Sequence, residues 1–85
     1  MEELITVSRV EFLEINSFFE SELKLYFSEE NGERYVLIPG SQKELCKIFD
    51  LPNDDADSCN FQNILGRQCK VNRKEDSFTF VEYFK

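Results

Sequence analysis

The sequence contains no histidine and no tryptophan, and only three cysteines, three glycines and two prolines occur among its 85 residues. The cysteines, Cys46, Cys59 and Cys69, lie ten or more residues apart, so there is no Cys-x-x-Cys pair. Because a structural zinc site needs about four cysteine or histidine ligands, this composition excludes a zinc finger. We predict buried or unreactive thiols in a reducing cytosol.

Residues suited to catalysis are also scarce. Without histidine, a cysteine nucleophile needs another base, and none of the cysteines lies in a recognisable activating sequence. Glu29, Glu30 and Glu33 are close together, but we place them at a hairpin tip, where exposure to water does not raise a carboxyl pKa. The three glycines are too dispersed for a phosphate-binding loop. We therefore predict no catalytic residues, no cofactor and no enzymatic activity.

A complete metal-binding loop and a membrane segment are missing too. Asn53, Asp55 and Asp57 have the spacing that opens a calcium loop, but Ser58 replaces its glycine and Ile64 its closing glutamate. The N-terminus lacks the basic start and apolar run of a signal peptide. No apolar run approaches the roughly eighteen residues that a membrane helix needs. We expect no metal site, no membrane contact and a cytoplasmic location.

Negative charge is what the chain has in excess, with seventeen acidic and ten basic residues and a net charge of −7. Residues 1–66 carry a net charge of −9, whereas residues 67–85 carry +2. Because phosphate binding depends on lysine and arginine, direct nucleic-acid binding is disfavoured. A charged surface can also serve solubility alone.

The clearest structural signal is a β-hairpin over residues 23–40, in which two alternating segments meet at Asn31-Gly32. This dipeptide favours the positive φ angles of a two-residue hairpin turn. Placing it at the turn predicts an apolar face that ends in an opposite-charge pair. The predicted pairs on that face are Leu25 with Ile38, Phe27 with Val36 and Glu29 with Arg34.

The stretch over residues 4–15 has two interpretations. A strand fits if a bulge near Ser8-Arg9 shifts the alternation by one residue. A helix fits because Ser8 and Glu11 have capping-box spacing. The β-branched residues of this stretch favour the strand.

A helix is predicted after the hairpin, where Ser41 and Glu44 form a capping box. Its buried stripe should comprise Leu45, Ile48 and Phe49, with Cys46 as a further candidate. Pro52 should end it, and a short second helix over residues 61–65 should close at Gly66 in the left-handed conformation. Two strands then follow over residues 68–73 and 78–84.

Together these elements predict a single α+β domain over residues 1–85. We expect a small, mostly antiparallel sheet of about five strands with a central β-hairpin. One to two short helices should cover one face of this sheet.

The face of the hairpin opposite the predicted helix carries Tyr26, Tyr35 and Leu37. Tyrosines ringed by carboxylates are typical of protein interfaces, unless the N-terminal strand or Phe18-Phe19 covers the rings. Carboxylates two apart on a strand lie roughly 6.6 to 7 Å apart, a spacing close to that of successive phosphates. The predicted partner-binding residues are Glu20, Glu22, Tyr26, Glu29, Glu30, Glu33, Tyr35, Asp54, Asp55 and Asp57.

In size, acidity, aromatic content and lack of a catalytic motif, the whole chain resembles small phage-encoded proteins, including anti-CRISPR proteins. This resemblance implies a non-enzymatic inhibitor, acting as a monomer or homodimer in the host cytoplasm. Its acidic surface would mimic nucleic acid and block a basic nucleic-acid-binding site on a host defence nuclease.

A local resemblance concerns residues 65–71, Leu-Gly-Arg-Gln-Cys-Lys-Val. They resemble a turn of some phage proteins of single-stranded DNA metabolism, although a helix end followed by a strand has the same pattern. Two alternatives follow. One is a nucleic-acid accessory module that uses the basic residues 67–74 and exposed aromatic rings. The other is a structural homodimer that pairs a free sheet edge.

Overall fold

The computed structural model describes residues 1–16, 20–51 and 60–84. These residues form six strands, one α-helix and one 3-10 helix. The strands are β1 (Glu2–Thr6), β2 (Arg9–Asn16), β3 (Glu20–Glu29), β4 (Gly32–Gly40), β5 (Gln68–Lys74) and β6 (Ser77–Phe84). The α-helix α1 is Gln42–Ile48, and the 3-10 helix is Phe61–Ile64.

Two antiparallel sheets of three strands make up the β structure of the described residues, with the orders β1-β5-β6 and β2-β3-β4. The predicted α+β class therefore holds at the coarse level, with β structure dominant. The prediction of one sheet of about five strands is wrong. Both sheets turn apolar side chains toward a common core.

The chain changes sheet at Val7 and Ser8, between β1 and β2. The Val7 N–H donates to the carbonyl of Arg67 at 2.9 Å, and the Ser8 N–H donates to that of Tyr26 at 2.7 Å. Consecutive residues are thus hydrogen-bonded toward different sheets. The strand interpretation of this stretch is confirmed and the helix is wrong, but two separate strands replace the single bulged one.

The β3–β4 hairpin forms as predicted, although its register differs by two residues. Glu29 pairs with Gly32, which leaves Glu30 and Asn31 in the turn. Gly32 has a φ of +124°, which glycine adopts readily. The residue with positive φ therefore lies one position after the two turn residues. Since side chains alternate with a period of two, a shift of two residues keeps every side chain on its predicted face.

The inward side chains of β3 and β4 form the centre of the core. The fully or almost fully buried ones are Leu23, Leu25, Phe27, Val36 and Ile38. Phe27 meets Phe78 of β6 edge-on, with 4.9 Å between ring centres, and so joins the two sheets.

Helix α1 begins as predicted, because Ser41 caps it and accepts a hydrogen bond from the Glu44 N–H at 3.2 Å. Its buried residues are Leu45 and Cys46, followed by Phe49 just after the helix. The prediction that Ile48 is buried is wrong, since its side chain is 43% exposed. Residues 45, 46 and 49 form the buried side of this segment, and Ile48 lies next to that side. The predicted end at Pro52 lies outside the described residues.

The C-terminal part of the chain follows its prediction. The short helix is present in 3-10 form, with the Asn60 side chain accepting from the Gln62 N–H at 3.0 Å. Gly66 has a φ of +81°, the left-handed conformation predicted for it. Both predicted closing strands are confirmed as β5 and β6. Neither helix of the described segments has the length and apolar character to cross a membrane.

The cysteines differ from one another in state. Cys69 is a buried free thiol, and burial raises its pKa to about 11, which makes it unreactive. Cys46 is buried and disulfide-bonded, so the prediction of a thiol is wrong there. The spacing of cysteines along a chain does not report which of them approach closely in space.

Candidate functional site

The outward side chains of β2, β3 and β4 form a continuous surface, which we call the outer face. Its rows follow from the register of the sheet, in which residues opposite one another have neighbouring side chains. The rows are Arg9–Tyr26–Tyr35, Glu11–Lys24–Leu37 and Leu13–Glu22–Pro39, with Ser28–Glu33 at the turn end and Glu20 at the opposite end.

Two predicted binding residues, Tyr26 and Tyr35, are neighbours at the centre of the outer face. Their ring centres are 5.7 Å apart, and the planes are tilted by 51°. The Tyr35 side chain is 49% exposed. Strand β2 lies beside β3 in the same sheet and does not cover Tyr35. The alternative cover, Phe18-Phe19, lies outside the described residues.

Cations lie over both tyrosine rings, a feature that the sequence interpretation missed. The guanidinium carbon of Arg9 is 3.8 Å from the ring centre of Tyr26, and Lys24 Nζ is 5.0 Å from that of Tyr35. Such contacts are attractive because the ring face carries partial negative charge. Lys24 stands two positions from Tyr26 on β3, but Arg9 joins the site only through the pairing of β2 with β3, for which no sequence signal existed.

The predicted carboxylates do not form one uninterrupted row. Glu33 accepts a hydrogen bond from Arg9 Nη2 at 2.8 Å, and this bond raises the pKa of Arg9. Glu29 points toward β5 and is ion-paired with Arg73, on the side opposite the outer face. Exposed Glu30 lies in the turn, and Glu20 and Glu22 lie at the far end of β3. Asp54, Asp55 and Asp57 lie outside the described residues.

Arg73 connects three strands by ion pairs. Its Nε and Nη2 atoms donate to the two carboxylate oxygens of Glu3 at 3.0 and 2.9 Å, and Nη2 also donates to Glu29. The bonds from Arg73 lower the pKa of Glu3. Lys70 pairs with Glu2 at 3.8 Å. Two of the basic residues at 67–74 are therefore already paired within the chain, which argues against the nucleic-acid accessory module.

A shallow groove of about 460 Å³ borders the outer face where β4 adjoins the start of β6. Its lining residues are Glu33, Arg34, Tyr35, Leu37, Asp76, Ser77 and Phe78. The groove combines two carboxylates, a guanidinium and three apolar or aromatic side chains. Within the described segments, no group of three histidine, cysteine or acidic residues is placed to hold a metal ion.

A comparison with protein-family models found no match, and neither did searches of curated proteins and of solved structures. The resemblance to small acidic phage proteins therefore stays a prediction. The support for a function comes from the geometry of the outer face and its groove.

Proposed function

We propose that this protein is a non-enzymatic binding protein whose outer face docks on a basic nucleic-acid-binding site of a partner. The partner class is a host defence nuclease, as for small phage-encoded inhibitors. The observation that carries the proposal is the pair Tyr26–Tyr35 at the centre of an exposed sheet face that has carboxylates at both ends.

The centre of this face has the composition of an interface core. Tyr35 and Leu37 of β4 are neighbouring exposed side chains beside Tyr26, and exposed Leu13 of β2 lies on the same surface with β3 between. Exposed apolar and aromatic side chains that adjoin one another mark interaction sites more often than scattered ones do. Tyrosine supplies a large contact area and frequently carries much of the binding energy.

The ends of the face supply the charge. Among the described residues, Glu20, Glu22 and Glu30 form no ion pair. Glu20 and Glu22 share the outer side of β3, about 7 Å apart along the strand. Carboxylates at this spacing suit a groove whose lysines and arginines bind successive phosphates. The net charge of −7 favours approach to such a groove.

Binding to purified RNA-guided nucleases of bacterial defence systems, in competition with their DNA targets, tests the proposal. We expect the protein to displace DNA and its Kd to rise between about 50 and 200 mM salt, because charge pairing weakens with ionic strength. No binding at the lower salt concentration, or binding that leaves DNA in place, would contradict the proposal.

A further inference from the structure

Strand β4 has an unpaired edge that faces the groove. β4 is the last strand of the sheet β2-β3-β4, and β6 is the last strand of the other sheet. The two strands adjoin, but among the described residues no backbone hydrogen bond connects them. The groove of about 460 Å³ lies between them.

The register identifies the backbone groups on this edge. The Tyr26 carbonyl accepts the Ser8 N–H at 2.7 Å, so the backbone of Tyr26 is directed toward β2. Tyr26 and Tyr35 are therefore a pair without mutual hydrogen bonds, and the N–H and C=O of Tyr35 point away from β3. By the alternation of an antiparallel ladder, the same holds for Glu33 and Leu37.

Pro39 occupies the next position of this alternation, opposite Glu22. Because proline has no N–H, it is tolerated at this place without loss of a hairpin hydrogen bond, and it ends the run of free donors. The open edge thus extends from Glu33 to Leu37, roughly 13 Å of strand. That length matches about five residues of an extended peptide.

We infer that β4 binds an extended basic segment of the partner, which adds to the sheet as a further strand within this groove. Backbone pairing supplies affinity in this mode of recognition, and alternate side chains supply specificity. The inference rests on the proposed function for the positive charge of the partner segment. The backbone pairing of that segment with β4 rests only on the free edge of β4.

The carboxylates of Glu33 and Asp76 outnumber the guanidinium of Arg34 in the groove, which favours alternating basic and apolar residues in that segment. Side chains on its outer side would lie opposite the half-exposed Tyr35 ring and the Glu33 carboxylate, one oxygen of which accepts from Arg9. The chain already places cations over Tyr26 and Tyr35, so a lysine or arginine suits this side. Side chains on the inner side would meet Phe78.

A second copy of the chain is a poorer occupant than a peptide. The start of β6, at Asp76 and Ser77, forms the other wall of the groove. This wall obstructs the approach of a whole folded sheet edge to β4. A two-fold contact through β4 would also place no basic side chain opposite Glu33, since Leu37 of the second copy would be its counterpart.

Amide hydrogen exchange tests the inference directly, with acetyl-Lys-Val-Lys-Val-Lys-Val-Lys-amide as the probe. In the free protein, the amides of Glu33, Tyr35 and Leu37 should exchange faster than those of Arg34 and Val36, which bond to β3. Addition of the peptide should slow exchange at the first three by at least about tenfold. The same peptide with N-methylated valines serves as the control for backbone pairing.

Two variants at one position separate backbone from side chain. Leu37→Pro removes an N–H of the free edge and spares the hairpin bonds, whereas Leu37→Ala keeps that N–H. The probe should still protect the edge amides of Leu37→Ala, but at higher peptide concentration because the Leu37 side chain lines the groove. That protection should be lost with Leu37→Pro and with the N-methylated peptide. If Leu37→Pro fails to fold, the N-methylated peptide alone decides.

Absence of protection at Glu33, Tyr35 and Leu37 up to about 1 mM peptide would overturn the inference. Equal binding of the N-methylated peptide would overturn it as well. Nuclease binding that persists in folded Leu37→Pro but falls in Glu22→Gln would retain the proposed function and reject strand addition. Sedimentation during the titration tests whether a second copy occupies the edge. Formation of dimers that displace the peptide would also reject the inference.

Discussion

The guanidinium carbon of Arg9 lies 3.8 Å from the ring centre of Tyr26, while Nη2 of the same side chain donates to Glu33 at 2.8 Å. One cation therefore covers an aromatic ring and neutralises a carboxylate on the outer face. Together with Lys24, it reduces the negative charge at the centre of this face.

Substitution Arg9→Gln should make the outer face a better ligand for a basic site. It removes a positive charge and releases the Glu33 carboxylate, so binding to the nuclease at low salt should tighten and become more salt-dependent. The measurement is the Kd at two salt concentrations, with Arg67→Gln, an equal charge change in another part of the chain, as the control. Weaker binding of Arg9→Gln would mean that Arg9 itself contacts the partner.

Substitution Tyr35→Ala should affect binding far more than stability. The ring is half-exposed, so the free energy of unfolding should change by less than about 0.5 kcal/mol. Binding should weaken by more than about 1 kcal/mol if the ring lies in the interface. Tyr83→Ala is the matched control, because its ring packs 4.9 Å from that of Phe49. The control should lose about 1 to 3 kcal/mol of stability. Unfolding of Tyr35→Ala by that amount would assign Tyr35 to the core.

Leu25 and Leu37 test which face of the hairpin is buried. Leu25 is completely buried, whereas Leu37 is 38% exposed. Leu25→Ala should lower the free energy of unfolding by about 2 to 5 kcal/mol, and Leu37→Ala by less than about 0.5 kcal/mol. Urea denaturation measures both. Similar losses in the two variants would contradict the assignment of faces.

The Glu3–Arg73 pair should make stability depend on pH in the acidic range. Hydrogen bonds from Arg73 lower the pKa of Glu3 from its usual value of 4.5 in the folded state. Its contribution is therefore complete above that value and is lost as the pH falls through the lower, folded-state pKa. Glu3→Gln should remove this part of the acid dependence and reduce stability at neutral pH by less than about 1 kcal/mol. An unchanged pH profile would show that the pair does not contribute.

Cys46 and Cys69 should differ in alkylation. In the folded protein, burial and a raised pKa should protect the Cys69 thiol from iodoacetamide. Denaturation without reductant should expose Cys69 alone of these two, and Cys46 should react only after reduction, because it is disulfide-bonded. Peptide mapping by mass spectrometry reads both sites. Labelling of Cys46 before reduction would contradict the disulfide.

Local patterns predicted the elements of the fold well. Ser41 and Glu44 identified the start of α1, and Gly66 identified the end of the 3-10 helix. The hairpin kept its faces although its register was wrong by two residues, because alternation depends only on parity. These signals reside in a few neighbouring residues.

Features set by distant contacts were missed. The two-sheet arrangement depends on which carbonyls accept the Val7 and Ser8 N–H groups, and those belong to Arg67 and Tyr26. The candidate site was found in its tyrosines, which lie on adjacent strands of one hairpin. Its cation Arg9 comes from another strand, and the sequence held no information on that pairing.

Two double variants with equal changes of charge test the central claim most directly. Glu20→Gln with Glu22→Gln removes two carboxylates from the end of the outer face. Glu75→Gln with Glu82→Gln removes two exposed carboxylates from the turn between β5 and β6 and from β6 itself. The measurement is the Kd for the nuclease at about 50 mM salt, where charge pairing is weakly screened. The first double variant should bind at least about tenfold more weakly than the wild type, and the second should bind within about twofold of it. Equal losses in both variants, or no loss in the first, would contradict docking through the outer face.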